Sequence, residues 1–231
     1  MKLLMVLTPH DQLENTGKKT GFWLEEFAAP YYVFKDAGVD ITLASSRDGQ
    51  PPLDPKSDAP DAPIEATRRY KADRAAQLAL DRSCVLSGAP GKSIDAVFYP
   101  DGTVPRRTSP MMRTPSNGSK SCMPQAIRCQ PCATHPARCA TPEALIARRW
   151  TRAEKWPALP TPKNWRQLTG VVPLPIEDML RERSSNYSKG AHWQPHVVID
   201  GNLITGQNPA SFEEAAHALH KRLAERHADA A

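Results

Sequence analysis

Four of the five cysteines lie close together near the middle of the chain, and thiols are both nucleophiles and metal ligands. They are Cys122, Cys129, Cys132 and Cys139. As a metal site, the cluster supplies four zinc ligands in the order Cys129, Cys132, His135 and Cys139. The spacing between the two pairs is unusually tight, and no strand pattern flanks them. A basic Cys/His zinc-binding module is therefore the remote alternative for this segment.

Glu26 is the second residue whose position indicates chemistry. At 100° per residue, one broad arc of its helix holds the apolar residues Phe22, Trp23, Phe27, Pro30, Tyr31, Val33 and Phe34. Glu26 falls inside this arc, whereas Glu25 is predicted to point toward solvent. A carboxylate on a buried face is costly unless it is paired or has a function. Glu26 is thus a functional candidate, and a surface glutamate at the edge of the packing is the alternative.

The N-terminal part alternates predicted strands and helices. Residues 3–7 and 39–44 are short apolar runs typical of strands, and residues 94–99 form a third. Residues 20–37 have helical spacing that ends at Gly38, a residue suited to a left-handed cap, and Pro30 should kink this helix. A further helix is predicted over residues 65–80. This β-α-β order favours a parallel, doubly wound sheet.

The C-terminal part predicts a hairpin followed by a helix. Residues 196–200 and 203–205 are two short strands joined by Gly201 and Asn202, a typical two-residue turn. Residues 211–214 (SFEE) match a capping box, in which the serine side chain would cap the final helix.

Residues 101–166 differ from both flanks in composition. They contain 12 of the 30 lysines and arginines, only 3 of the 25 aspartates and glutamates, and ten of the 23 prolines. The net charge of +5 therefore comes from this tract, and the flanks are mildly acidic. A basic balance confined to one tract is no evidence of a nucleic-acid partner.

Other features of the chain indicate a cytoplasmic protein. No apolar run approaches the roughly 20 residues needed to span a bilayer, and the apolar start is too short for a signal peptide. Without a secretion signal, the cysteines are not expected to form disulfides. We expect no membrane partner.

Three segments together resemble the ThiJ/PfpI superfamily: residues 20–26 (TGFWLEE), 98–100 (FYP) and 200–211 (DGNLITGQNPAS). The chain is most similar to the heat-shock glyoxalase III/deglycase chaperones within it. The resemblance implies a single domain over residues 1–231, with a class I glutamine-amidotransferase-like, flavodoxin-like α/β sandwich whose mostly parallel sheet is flanked by helices. It also implies a homodimer, no cofactor, and a catalytic Cys-His-Glu set in which Glu26 is the acid/base.

The motifs that this family carries after Tyr99 and Pro100 are missing, notably the nucleophile elbow AVCH[GA]P and a later GFTNTEE. Reading the codons one frame over permits VCHAP across residues 131–136 and MAGFTNTEEL across residues 155–165. We interpret the tract as an out-of-frame interruption caused by compensating indels near codons 101 and 166. Cys132 is then the nearest stand-in for the nucleophile, and residues 101–166 are expected to be irregular. A genuine disordered Pro/Arg-rich insertion is the alternative.

The resemblance implies a cysteine-dependent enzyme that acts on reactive aldehydes, converting methylglyoxal to lactate, or on glycated proteins, with stress-chaperone activity. Two alternatives stay open beside the zinc module. One is a chaperone or interaction protein without catalysis. The other is a PfpI-type peptidase or amidotransferase-like hydrolase.

Overall fold

The computed structural model of the chain describes residues 1–12, 17–45, 47, 49–58, 64–89, 94–100, 127–131, 155–157, 186–191 and 194–229. For residues 87, 127–131, 155–157 and 186–187 it describes the backbone alone. The helices in these ranges are α1 (Leu24–Asp36), α2 (Glu65–Ala72), α3 (Arg74–Asp81) and α4 (Ser211–Ala228). The strands are β1 (Lys2–Leu7), β2 (Asp40–Ser45), β3 (Cys84–Val85), β4 (Ala96–Phe98), β5 (Ile127–Pro131), β6 (Lys155–Pro157), β7 (Asn186–Ser188), β8 (Val197–Asp200) and β9 (Leu203–Gly206).

Seven of these strands form one sheet in the order β3-β2-β1-β4-β5-β9-β8. Every neighbouring pair is parallel except β8 and β9, which form an antiparallel hairpin. The chain moves outward from β1 through β2 and β3, then returns to the other side of β1 and continues outward from β4. This is a doubly wound, mostly parallel sheet with flanking helices, so the predicted fold class is confirmed.

Strand β1 shows why the N-terminus is a continuous apolar run. Leu3, Met5 and Leu7 belong to a large cluster that includes side chains of α1 and α4. Leu4 and Val6 point to the opposite face and belong to a second cluster. No residue from 3 to 7 is more than 2% exposed. A strand covered on both faces needs apolar residues at successive positions, without the alternation of a half-exposed strand.

The expectation that residues 101–166 are irregular is wrong at 127–131 and 155–157. Strand β5 lies inside the main sheet, between β4 and β9, and β6 pairs with β7. Backbone N–H and C=O groups form the ladder, so pairing can be satisfied by many residue types. The remainder of the tract lies outside the described residues.

Helix α1 begins four residues later than predicted and ends as expected. Residues 20–22 are not helical because they contact residues 52–54, as described below. At the other end Gly38 has a φ of 69°, and its N–H bonds to the carbonyl of Lys35. The helix continues through Pro30. The C-terminal hairpin is confirmed, with a φ of 55° at Gly201 in its turn.

The predicted helix over residues 65–80 is two helices, because Asp73 breaks it. Its backbone is extended, and its carboxylate caps α3 by accepting a hydrogen bond from the N–H of Ala76 at 3.0 Å. The same carboxylate accepts bonds from the Tyr32 hydroxyl at 3.1 Å and the Lys35 ammonium at 2.8 Å. These bonds, led by that of Lys35, lower the pKa of Asp73 to about 2. Asp73 thereby ties α1 to the junction of α2 and α3.

Replacing Asp73 by alanine should remove both the cap of α3 and the bonds to Tyr32 and Lys35 of α1. We expect the free energy of unfolding to fall by about 1 to 2 kcal/mol, the usual range for a lost N-cap. Because the folded-state pKa is lowered, the stabilisation is complete above the ordinary pKa of 3.8 and is lost as the pH falls through about 2. Urea unfolding at pH 7 and near pH 2 measures both effects.

Asp58→Ala is the matched control, because the Asp58 carboxylate makes an exposed ion pair with Lys71. Such pairs contribute about 0 to 1 kcal/mol. An equal loss in the two variants, or a loss at Asp73 that persists near pH 2, would contradict this role.

Candidate active site

The carboxyl ends of the parallel strands meet at one edge of the sheet. Leu7, the last residue of β1, is level with Ser45 of β2, and Pro131 of β5 is level with Gly206 of β9. The strand order reverses between β1 and β4, because the chain continues from β1 to β2 on one side and from β4 to β5 on the other, and such a reversal is a topological switch point. Ligands of open α/β sheets bind at this switch point, which makes it the place to look for a site.

Glu26 lies at this edge, in the first turn of α1. A helix that follows a parallel strand returns antiparallel to it, so its first turn is at the carboxyl edge. Glu26 is 4% exposed, as the helical periodicity predicts. The first turn of a helix also favours a negative charge, because the N–H dipoles point outward there. Its role as an acid/base stays a prediction.

Glu25 is not oriented as the sequence predicts. Its side chain is half-buried instead of solvated. Burial raises the pKa of Glu25, and the nearby carboxylate of Glu213 raises it further. The difference arises because α4 packs against α1, a contact that the pattern of a single helix does not reveal.

The start of α1 has no side-chain cap, since Trp23 occupies the N-cap position. A short ladder with another segment fixes it instead. The N–H of Phe22 donates to the carbonyl of Pro52 at 2.8 Å, and the N–H of Asp54 donates to the carbonyl of Phe22 at 2.9 Å. Gly21 lies so close to this segment that a Cβ would collide with the carbonyl of Pro52. The glycine is required by this close approach.

Gly21→Ala should therefore destabilise the fold by about 1 to 3 kcal/mol, the usual cost of overpacking. Gly88→Ala is the control, because a Cβ there would meet no atom within 4 Å. Thermal unfolding of the two variants measures the difference. A Gly21→Ala protein as stable as Gly88→Ala would show that the loop moves away freely.

The side-chain amides of Gln207 and Asn208, directly after β9, are buried and bind the main chain of residues 190–194. We call this pair the clamp; the sequence did not predict its contacts. The Gln207 side chain accepts from the Gly190 N–H at 2.9 Å and donates to the carbonyls of Ala191 and Gln194 at 3.1 and 3.0 Å. The Asn208 side chain donates to the same Gln194 carbonyl at 2.6 Å. Both side chains are fully buried. The signal for this clamp was the pair of adjacent amides after an apolar strand.

The predicted capping box at the start of α4 is wrong. Helix α4 has no side-chain cap, and Ser211 is buried. Its hydroxyl donates to the Asn208 side-chain carbonyl at 2.8 Å and accepts from the His196 N–H at 3.1 Å. The bonds of Ser211 to Asn208 and to the main chain of His196 replace the capping bond that the sequence indicated.

Cys132 lies outside the described residues and follows directly after β5. Of the four candidate zinc ligands, the structure describes only the backbone of Cys129. Within the described ranges, no group of three or more His, Cys, Asp or Glu side chains could hold a metal ion. Those ranges also contain no helix long and apolar enough to cross a membrane.

Comparisons with solved structures match nearly the whole chain. The protein APC35852 is 31% identical, with 97% of this chain and 98% of that chain covered and a TM-score of 0.70. The Rapid Encystment Protein 24 KDa of Francisella tularensis is 26% identical, with 96% and 98% covered and a TM-score of 0.69. Glyoxalase III of Candida albicans is 20% identical, with 96% of each chain covered and a TM-score of 0.71, a likeness of fold. No family model and no curated protein match the chain.

The sheet order and its flanking helices define the protein as a flavodoxin-like α/β protein, whose candidate site lies at the carboxyl edge of the sheet. The matching structures also include a two-domain protein of Anabaena variabilis that contains a DJ-1/ThiJ/PfpI-like domain. The chain therefore shares the fold of glyoxalase III and of that DJ-1/ThiJ/PfpI-like domain.

Proposed function

We propose that this protein is a cysteine-dependent enzyme of the glyoxalase III type, which acts on small reactive aldehydes. The observation that carries the proposal is the buried carboxylate of Glu26 in the first turn of α1, at the switch point of the sheet. The likeness of fold to glyoxalase III of Candida albicans supports it. Repair of glycated proteins is the related activity that the same groups could perform.

The chemistry follows from a thiolate and a carboxylate in one crevice. The thiolate would attack the aldehyde carbon of methylglyoxal and form a hemithioacetal. Glu26 would take the proton from that carbon and return it to the adjacent carbon, giving the thioester of lactate. Water would then cleave the thioester, releasing lactate and restoring the thiol. The sum is addition of one water to methylglyoxal, with no external oxidant or reductant.

The nucleophile belongs at the end of β5. That strand ends at Pro131, at the carboxyl edge, and Cys132 is the next residue in the chain. The printed sequence continues with Ala133 and Thr134 and so lacks the elbow of the family. The near-complete coverage of both chains in the match to APC35852 supports reading the tract as a replacement for family sequence, with nothing inserted. We therefore propose that residues 101–166 are the protein's own centre read out of frame.

The frame hypothesis predicts the result of resequencing the gene across codons 95–170. We expect a compensating pair of indels near codons 101 and 166, and an in-frame product with VCHAP at the end of β5. The sequence of cloned genomic DNA tests for the indels, and the mass of the expressed protein tests for the in-frame product. Agreement of both with the printed sequence would refute the hypothesis and leave Cys132 without its elbow.

The acid/base role predicts that Glu26→Gln lowers kcat for conversion of methylglyoxal to lactate without glutathione. We expect a loss of at least about 100-fold, the lower range for removal of a general acid/base. The assay uses the protein expressed from the resequenced gene. Glu25→Gln is the matched control, because it makes the same chemical change one residue away and should keep most of the activity.

Unchanged turnover in Glu26→Gln would remove this mechanism. Absence of turnover in the parent protein, together with suppression of aggregation of an unfolded client protein, would favour the non-catalytic chaperone. Hydrolysis of peptides or amides, without turnover of methylglyoxal, would favour the PfpI-type hydrolase.

A further inference from the structure

Asp54 is a buried acidic residue that the proposed reaction does not use. It is 8% exposed, and both oxygens of its carboxylate accept hydrogen bonds. One accepts from the Thr20 hydroxyl at 3.0 Å, and the other from the N–H of Lys56 at 2.9 Å. A buried charge is costly, so a carboxylate at this place needs a compensating role.

The two donors match the two oxygens of an aspartate. Thr20 and Lys56 each direct a hydrogen atom at a different oxygen of the carboxylate. Asparagine has one side-chain oxygen and one NH2 group, so it can accept only one of these bonds in the same geometry. With that oxygen on the Lys56 N–H, the NH2 group would face the Thr20 hydroxyl, which would have to turn and accept the bond that it now donates.

The main chain of Asp54 contacts the same two segments as its carboxylate, residues 20–22 and residues 56–57. Its N–H donates to the carbonyl of Phe22, and its carbonyl accepts from the Ser57 hydroxyl at 2.7 Å. The Phe22 ring packs edge-to-face on Phe27 with a centroid distance of 5.5 Å. Phe27 is the neighbour of Glu26 in the first turn of α1. Two routes therefore connect Asp54 to that turn: the bond to Thr20 and the ladder through Phe22.

We propose that Asp54 is a positioning residue, which fixes the first turn of α1 and hence the carboxylate of Glu26. Helix α1 has no side-chain cap of its own, so the contacts of residues 20–22 with Asp54 fix the place where the helix begins. The consequence for catalysis rests on the proposed function, whereas the consequence for the place of Glu26 does not.

The test observes Glu26 directly in the full chain. The side-chain carboxyl carbon of Glu26 is followed by NMR and assigned by its loss in Glu26→Gln. Thr20→Val removes the hydroxyl at nearly constant shape, and Asp54→Asn removes one of the two acceptors. We expect the Glu26 signal to shift in both variants. In Thr20→Ser, which keeps the hydroxyl, it should stay at its wild-type position.

Asp58→Asn controls for the loss of a nearby negative charge, because Asp58 is an exposed residue of the same loop. It should leave the Glu26 signal unchanged. Thr20→Val alters no charge, so a shift in that variant reports geometry alone. If Asp54→Asn does not fold, Thr20→Val with Thr20→Ser still decides the question. A Glu26 signal unchanged in Thr20→Val overturns the inference.

A kinetic measurement separates this inference from the proposed function. If the parent protein converts methylglyoxal, Thr20→Val should lower kcat about 10- to 100-fold with KM within about twofold, the effect of a misplaced catalytic group. A rise in KM with unchanged kcat would contradict a positioning role. If the parent protein is inactive while the Glu26 signal still shifts, the proposed function fails and the inference stands.

Discussion

The candidate site depends on one close contact, between residues 20–22 and residues 52–54. A helix start leaves several backbone N–H groups without partners inside the helix, and a side chain at the N-cap normally satisfies one of them. Trp23 makes no such bond. The start of α1 is held instead by its ladder to Pro52 and Asp54, at a separation that only Gly21 permits. The place of Glu26 is therefore set by a segment almost thirty residues further along the chain.

At the centre of the sheet, strand pairing and the proposed chemistry place different demands on the sequence. Strand β5 completes the ladder between β4 and β9 even though it lies in the compositionally foreign tract. Backbone pairing depends little on which side chains are present, so the parallel sheet extends through this part of the chain. A nucleophile elbow, by contrast, needs one residue type at one position. A change of reading frame can therefore preserve the strand order while removing the reactive group.

Features that depend on neighbouring residues could be predicted from the sequence. The hairpin of β8 and β9, the left-handed Gly38 and the burial of Glu26 each follow from local periodicity or turn chemistry. Features that depend on distant residues could not. Asp73 accepts bonds from Tyr32 and Lys35 of α1 where the helix was predicted to continue, and Ser211 accepts a bond from the His196 N–H in place of the predicted capping bond.

The sequence by itself determined the class of fold, the burial of Glu26 and the family resemblance, because apolar periodicity and short motifs are properties of contiguous residues. Only the tertiary structure decided how the site is held together. It assigned Gly21 and Asp54 to the start of α1, brought Glu25 near Glu213 of α4, and joined Gln207 to residues 190–194. Each of these contacts joins residues far apart in the chain, and the energy of a buried polar group is fixed by the partners that folding brings to it.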